Sequence, residues 1–270
     1  MRLMLLANFI TRNPIAELLE EDQMGWRITD SKVLEDAIFK MKLKVVSHIG
    51  IREGMTVVDV GCGQGGFTAS LAKIVGEMGK ILAVDVSGAY VKEFTKRLNK
   101  YCVKNRVDFI QADGTNLGDV LSNCVADVVT GFRLLEELKK CEDMPNIIGE
   151  MVRVAKNGGK VCLIELSTVA RNKAEEAYIR LHKESGDCFF EQSRIVESMK
   201  MHGLKNVHVE KRDTHIWFSP ALAKQELSFA QVWFDSDVKR RLGPLINTYG
   251  MKYPELLVFS GKKCKRLTMV

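Results

Sequence analysis

The chain has 270 residues, enough for one large domain or two small ones, and its 46% hydrophobic and 27% charged residues exclude a disordered or low-complexity protein. The formal net charge is +6, but lysine and arginine are interleaved with acids except at KRR (239–241) and KKCKR (262–266), so nucleic acid is a disfavoured partner. Seven scattered cysteines without a C-x-x-C read as buried thiols of a reducing compartment, and five histidines without ligand spacing (His202, His208 and His215 among them) predict no metal.

In chain order, the apolar stretch at the N-terminus is too short to cross a bilayer and lacks a cleavage site, so a cytoplasmic protein with no membrane span is expected. Residues 1–50 read as a helical cover. Asp30 or Ser31 can cap a helix running through Val33, Ala37, Met41 and Val45, and Trp26 and Arg27 precede it. Residues 51–213 carry a βα rhythm. Strands are expected at 56–60, 81–86, 107–111, 126–131 and 159–166, as continuous apolar runs of the kind buried on both faces. Helical spacing covers 66–75, 89–101 and 144–154, with breaks at Gly76, Gly79 and Gly158-Gly159. A helix over 193–202, ended by Gly203, leads to a strand at 206–211.

Residues 214–252 read as a helical insertion before the last strand, able to close as a lid. Its aromatics are Trp217, Phe218, Phe229, Trp233, Phe234 and Tyr249, and core packing is the other reading of them. The stretch 253–270 supplies the last strand, at 255–260, and a basic tail. The predicted fold is a single α/β domain: a doubly wound, mostly parallel seven-stranded sheet whose last strand is antiparallel.

The stretch VVDVGCGQGG (57–66) fits two glycine patterns. Gly61, Gly63 and Gly66 form G-x-G-x-x-G, the dinucleotide pattern. Gly61, Gly63 and Gly65 form G-x-G-x-G behind Asp59. A dinucleotide would place a pyrophosphate at this loop, and Asp59 would repel it. An S-adenosyl nucleoside would place an ammonium and a sulfonium there, and Asp59 would favour both. Asp85, in AVDVSG, can accept both ribose hydroxyls, which holds for either ligand. Asp113, in FIQADGTNL, can accept from an adenine amino group. Asp85 and Asp113 could also simply cap the helices that follow them. The three together favour S-adenosyl-L-methionine. Gly61, Gly63 and Gly65 then carry its methionine portion and Asp59 assists the ammonium. Asp85 holds the ribose and Asp113 the adenine, and the neighbouring Val86 and Gly114 are further expected cofactor-binding residues.

These motifs resemble those of class I S-adenosylmethionine-dependent methyltransferases, over about 50–212 and again at 255–262. Within that class, GFRLLEEL…IIGEMVRVAKNGGKVCLIELS (131–167) is similar to the UbiE/MenG-type quinone C-methyltransferases, except that Asn157 replaces the usual proline before the two glycines. The resemblance implies a Rossmann-like methyltransferase fold and methyl transfer to a small organic acceptor. An RNA or protein methyltransferase and a non-catalytic cofactor-binding protein are the alternatives.

Methyl transfer from a sulfonium needs an aligned nucleophile and exclusion of water, so no catalytic triad is required. The acceptor pocket is expected over the carboxyl ends of the fourth and fifth strands. Three residues are candidates for the chemistry. Arg133 can meet an acidic substrate or pair with Glu136 or Glu137. Glu165 can act as a base or as a structural group. His215 stands just after the sixth strand. Thr130-Gly131-Phe132-Arg133 is not the proline-containing loop of many nucleobase N-methyltransferases, and no cysteine sits where a cytosine C5 nucleophile would.

Overall fold

A computed structural model describes residues 27–228 and 235–264. Trp26, Phe229, Trp233, Phe234 and the end of the basic tail lie outside the described residues. The main sheet has seven strands: β1 (Thr56–Val60), β2 (Lys80–Asp85), β3 (Val107–Gln111), β4 (Ala126–Phe132), β5 (Ala155–Leu166), β6 (Leu204–Arg212) and β7 (Leu256–Lys263). Their order is β3-β2-β1-β4-β5-β7-β6, and β7 is antiparallel to both neighbours. The other pairs are parallel, as the expected fold requires.

Eight helices flank the sheet among the described residues: α1 (Ser31–His48), α2 (Gly66–Val75), α3 (Val91–Lys100), α4 (Met144–Val154), α5 (Lys173–Glu184), α6 (Gln192–Met201), α7 (Pro220–Ser228) and α8 (Ser236–Tyr249). Strand side chains alternate between two cores. Val57, Ile81, Cys162, Ile164 and Val258 pack with α1, α2, α3, α5, α7 and α8. Val58, Val84, Val161, Leu163 and Phe259 pack with α4 and α6. Burial on both faces explains why the central strands read as unbroken apolar runs.

Asp30 caps α1, accepting from the backbone N–H of Lys32 and Val33. Gly65, at φ +77°, opens α2.

The structure departs from the sequence expectations in four places. Gly158-Gly159 do not precede β5 but lie within it. The strand starts at Ala155, and the register against β4 shifts between Ala126 and Val128. A Cβ at Gly159 would come within 3.2 Å of the carbonyl oxygens of Lys156, Asp127 and Ala126, so the glycine permits this bulge.

Helix α5 was not anticipated, because Ala174 and Ala177 occupy part of its buried stripe beside Tyr178 and Leu181 and weaken the apolar signal.

The insertion contributes to a second, three-stranded sheet. Trp217–Phe218 pairs parallel with Arg27–Ile28 and antiparallel with Met251–Lys252. Two-residue strands leave no period to detect.

Finally, Cys141 and Cys188 are not thiols but a disulfide, with Cα atoms 5.6 Å apart. It joins the segment after β4 to the segment after α5, a juxtaposition that 47 residues of separation hide. Of the free cysteines, Cys62 and Cys162 are buried as expected, whereas Cys102, Cys124 and Cys264 are exposed.

Candidate active site

The glycine loop leaves β1 and folds back over the end of β2. The N–H groups of Gly61 and Cys62 both donate to the Val84 carbonyl, at 2.8 and 3.0 Å, and Gly65 N–H donates to the Cys62 carbonyl at 2.9 Å. Gly61, Gly63 and Gly65 all have positive φ. Their surroundings differ. A Cβ on Gly61 would strike Leu134, and one on Gly65 would strike Phe94, but one on Gly63 would meet nothing within 4 Å. Gly63 is therefore the point where the loop stands open to a ligand.

Asp85 ends β2 and locks this arrangement. One carboxylate oxygen accepts from Gly63 N–H at 2.7 Å, the other from Ser87 N–H at 2.9 Å. Each oxygen retains a further lone pair for a ligand hydroxyl. Asp113 follows β3 and is exposed. It accepts from Thr115 N–H and Oγ1 at 2.9 and 2.8 Å, and these bonds hold its carboxyl below the usual range. Between them lies a cleft of about 180 Å³ lined by Gly61, Asp85, Val86, Asp113, Gly114 and Arg133. A Cβ on Gly114 would collide with Ile147 and press on Val60, so this glycine brings the backbone flush with the cleft floor.

Asp59 does not line the cleft. It is buried beneath the loop, where it accepts from Thr68 Oγ1 at 2.6 Å and faces Thr130 Oγ1 at 3.4 Å. Burial raises its pKa to about 7, against the opposing pull of these hydroxyls. From this position Asp59 joins β1 to α2.

The three candidates for the chemistry fall in different surroundings. Arg133 takes positive φ as the chain leaves β4. Burial opposes its charge, yet Glu136, to which its Nε donates, and further acids hold its pKa well above the usual value. The guanidinium also faces the rings of Tyr178 and Tyr253, each at 5.9 Å.

Glu165 is buried, and one of its oxygens accepts from the N–H groups of Leu134 and Leu135 at 3.2 and 3.1 Å. Burial drives its pKa well above the carboxylate range. It braces the turn that presents Arg133. His215 is not brought to the cleft. It lines a separate cavity of about 730 Å³ between α1 and the ends of β6 and β7.

Behind Arg133 lies a buried group absent from the sequence reading. His182 Nδ1 stands 2.6 Å from Asp187 Oδ2, and Glu136 lies alongside. Burial lowers the His182 pKa to about 3 and raises that of Asp187 to about 6. The three ligand atoms lie within 4.8 Å of one another, but Arg133 already supplies Glu136 with a counter-charge.

A family model described as the ubiE/COQ5 methyltransferase family matches residues 33–211. A ubiquinone/menaquinone biosynthesis C-methyltransferase UbiE from Salmonella arizonae is 30% identical over 131 residues, covering 48% of this chain and 49% of that protein. The chain thus spans about half the length of the curated relatives it matches.

Two solved structures share the fold. A SAM-dependent methyltransferase from Aquifex aeolicus superposes with a TM-score of 0.55 at 19% identity, covering 87% of this chain and 99% of that one. A phosphoethanolamine N-methyltransferase 2 from Haemonchus contortus, in complex with S-adenosylhomocysteine, gives 0.56 at 18% identity, covering 83% and 52%.

Proposed function

The chain belongs to the ubiE/COQ5 methyltransferase family, and from that premise we propose that it transfers a methyl group from S-adenosyl-L-methionine to a small organic acceptor. The observation that carries this reading is the pairing of two accessible carboxylates at neighbouring strand ends with a glycine loop open at Gly63. A diphosphate in this cleft would lie beside Asp85 and above the buried Asp59. A cationic nucleoside suits both charges.

When bound, the cofactor supplies a methyl group already activated on sulfonium. The chain's own residues bind, orient and exclude water. Asp85 accepts from the ribose hydroxyls while holding the loop through Gly63. Asp113 accepts from the adenine amino group, and Gly114 lets the base lie against the floor. Val86, half exposed beside the cleft, offers an apolar edge. On the acceptor side, Phe132 stacks on Phe67 at 4.8 Å and Arg133 is held by Glu136 and the two tyrosines. These groups make a rigid wall with a permanent positive charge, suited to orienting an acceptor that carries or develops negative charge on oxygen.

Calorimetric titration with S-adenosylhomocysteine and with NADH tests the reading. Saturable binding of the first and none of the second is expected. NADH binding with adenosylhomocysteine excluded overturns it. Mass spectrometry of methyl transfer into pooled small-molecule acceptors then identifies the substrate.

A further inference from the structure

Helix α1 presents an apolar stripe formed by Leu34, Ile38, Met41 and Val45. Lys42 lies on the same stripe, two turns after Leu34, where helical spacing calls for another apolar residue. Its side chain reaches the glycine loop. A Cβ on Gly66, the first residue of α2, would stand 2.7 Å from Lys42 Nζ and 3.3 Å from Arg97 Nη1. Nζ also lies 5.0 Å from the centre of the Phe132 ring at the end of β4. Lys42 has no hydrogen bond or ion pair among the described residues.

The charged groups facing it are Arg97 from α3, Arg133 from the turn after β4 and Asp59 from β1. Asp59 is buried and already engaged by Thr68. Arg133 is already paired with Glu136. Arg97 donates to the Gln64 carbonyl at 3.4 Å and stands 4.0 Å from Glu35. A surplus of positive charge therefore collects at this end of the loop, on a lysine with no hydrogen-bond or ion-pair partner among the described residues.

Position along the sheet identifies the missing anion. In the strand order, Asp113 follows β3, Asp85 ends β2, the glycine loop leaves β1, and Phe132 with Lys42 beside it ends β4. With neighbouring strands roughly 4.8 Å apart, this edge runs about 14 Å from β3 to β4. A nucleoside anchored at Asp113 and Asp85 would send its 5′ substituent over the loop toward Lys42.

We propose that Lys42 binds the α-carboxylate of the cofactor's amino-acid tail, and so separates nucleosides that carry this tail from those that lack it. The assignment rests on the methyl-donor reading above. Burial, then Arg97 and Arg133, push the Lys42 pKa down to about 7, with Asp59 opposing. A bound carboxylate raises it again. Well below pH 7 the lysine is already protonated before binding. At pH 8 it is largely neutral, and binding a tailed nucleoside draws a proton from solution.

The test compares the wild type, Lys42→Met and Lys42→Arg in calorimetric titrations with S-adenosylhomocysteine and with 5′-methylthioadenosine, which lacks the amino-acid tail. Lys42→Met keeps the α1 stripe apolar and should fold. It is expected to weaken adenosylhomocysteine binding roughly 10- to 100-fold and to leave methylthioadenosine unchanged. Lys42→Arg retains the charge and most of the preference. In buffers of differing ionisation heat at pH 8, the wild type takes up a proton with adenosylhomocysteine and none with methylthioadenosine. Equal effects of Lys42→Met on both ligands, or an effect on neither, overturn the assignment while leaving the methyl-donor reading intact. A wild type that binds neither nucleoside overturns both.

Discussion

Replacing Asp85 with alanine separates what this carboxylate does for the loop from what it does for a ligand. In the structure it accepts two backbone N–H groups, from Gly63 at 2.7 Å and Ser87 at 2.9 Å, and is partly buried. Bonds to a charged acceptor contribute about 1.5–3 kcal/mol each, and water replaces much of that at a half-exposed site. The free protein should therefore lose about 1–2 kcal/mol, a fall in Tm of roughly 2–8 °C for a chain of this size. With ligand present, two ribose bonds are lost as well and the loop is no longer held at Gly63. S-adenosylhomocysteine binding should weaken by about 2–4 kcal/mol, or roughly 30- to 1000-fold in Kd. Asp85→Asn retains one acceptor oxygen but turns an amide N–H toward a backbone donor, so it should rescue little. The assays are calorimetric titration and thermal melting at pH 7.5. A folded Asp85→Ala variant binding within about threefold of the wild type would show that the ribose is held elsewhere.

Gly63→Val should fold, since a Cβ there meets nothing within 4 Å, with a cost of about 1–2 kcal/mol for its positive φ, yet abolish adenosylhomocysteine binding; normal binding by the folded variant refutes the loop assignment. Glu165→Gln keeps the oxygen that accepts from Leu134 and Leu135, whereas Glu165→Ala leaves both N–H groups unpaired and should lose about 2–4 kcal/mol. Because burial raises the Glu165 pKa, the folded wild type keeps a proton that the unfolded chain releases above pH 4.5, so its stability falls as pH rises and that of Glu165→Gln falls less. Denaturant titrations from pH 5 to 8 check this, and loss of turnover in Glu165→Gln at unchanged stability would instead make Glu165 a catalytic base. Breaking the Cys141–Cys188 bridge, by reduction or Cys141→Ser, should cost about 4 kcal/mol for a loop closed over 47 residues of separation. Thiol titration of unreduced, denatured protein should find five thiols, and seven would show that no bridge forms.

Local chain grammar made the central sheet and the glycine-loop cleft legible in the sequence. Unbroken runs such as ILAVD and VCLIEL mark strands buried on both faces, and a strand, a glycine turn and a helix in succession place Asp85 and the loop without reference to distant residues. Lys42 left a trace, as a lysine on an apolar helical stripe, but the charged groups that surround it sit on β1, α3 and the turn after β4. The Glu136–His182–Asp187 group and the stack of Tyr178 and Tyr253 against Arg133 left none, because each joins elements far apart in the chain.

Hydrophobic period and turn residues thus determined which segments are strands and helices, and which acids stand at strand ends, because those properties depend on near neighbours along the chain. Tertiary structure alone decided which charges share one desolvated space. It buried Asp59 instead of exposing it, joined Cys141 to Cys188, and carried His215 to a different cavity. Burial and electrostatic coupling depend on distance in space, and long connections between elements erase that distance from the linear order.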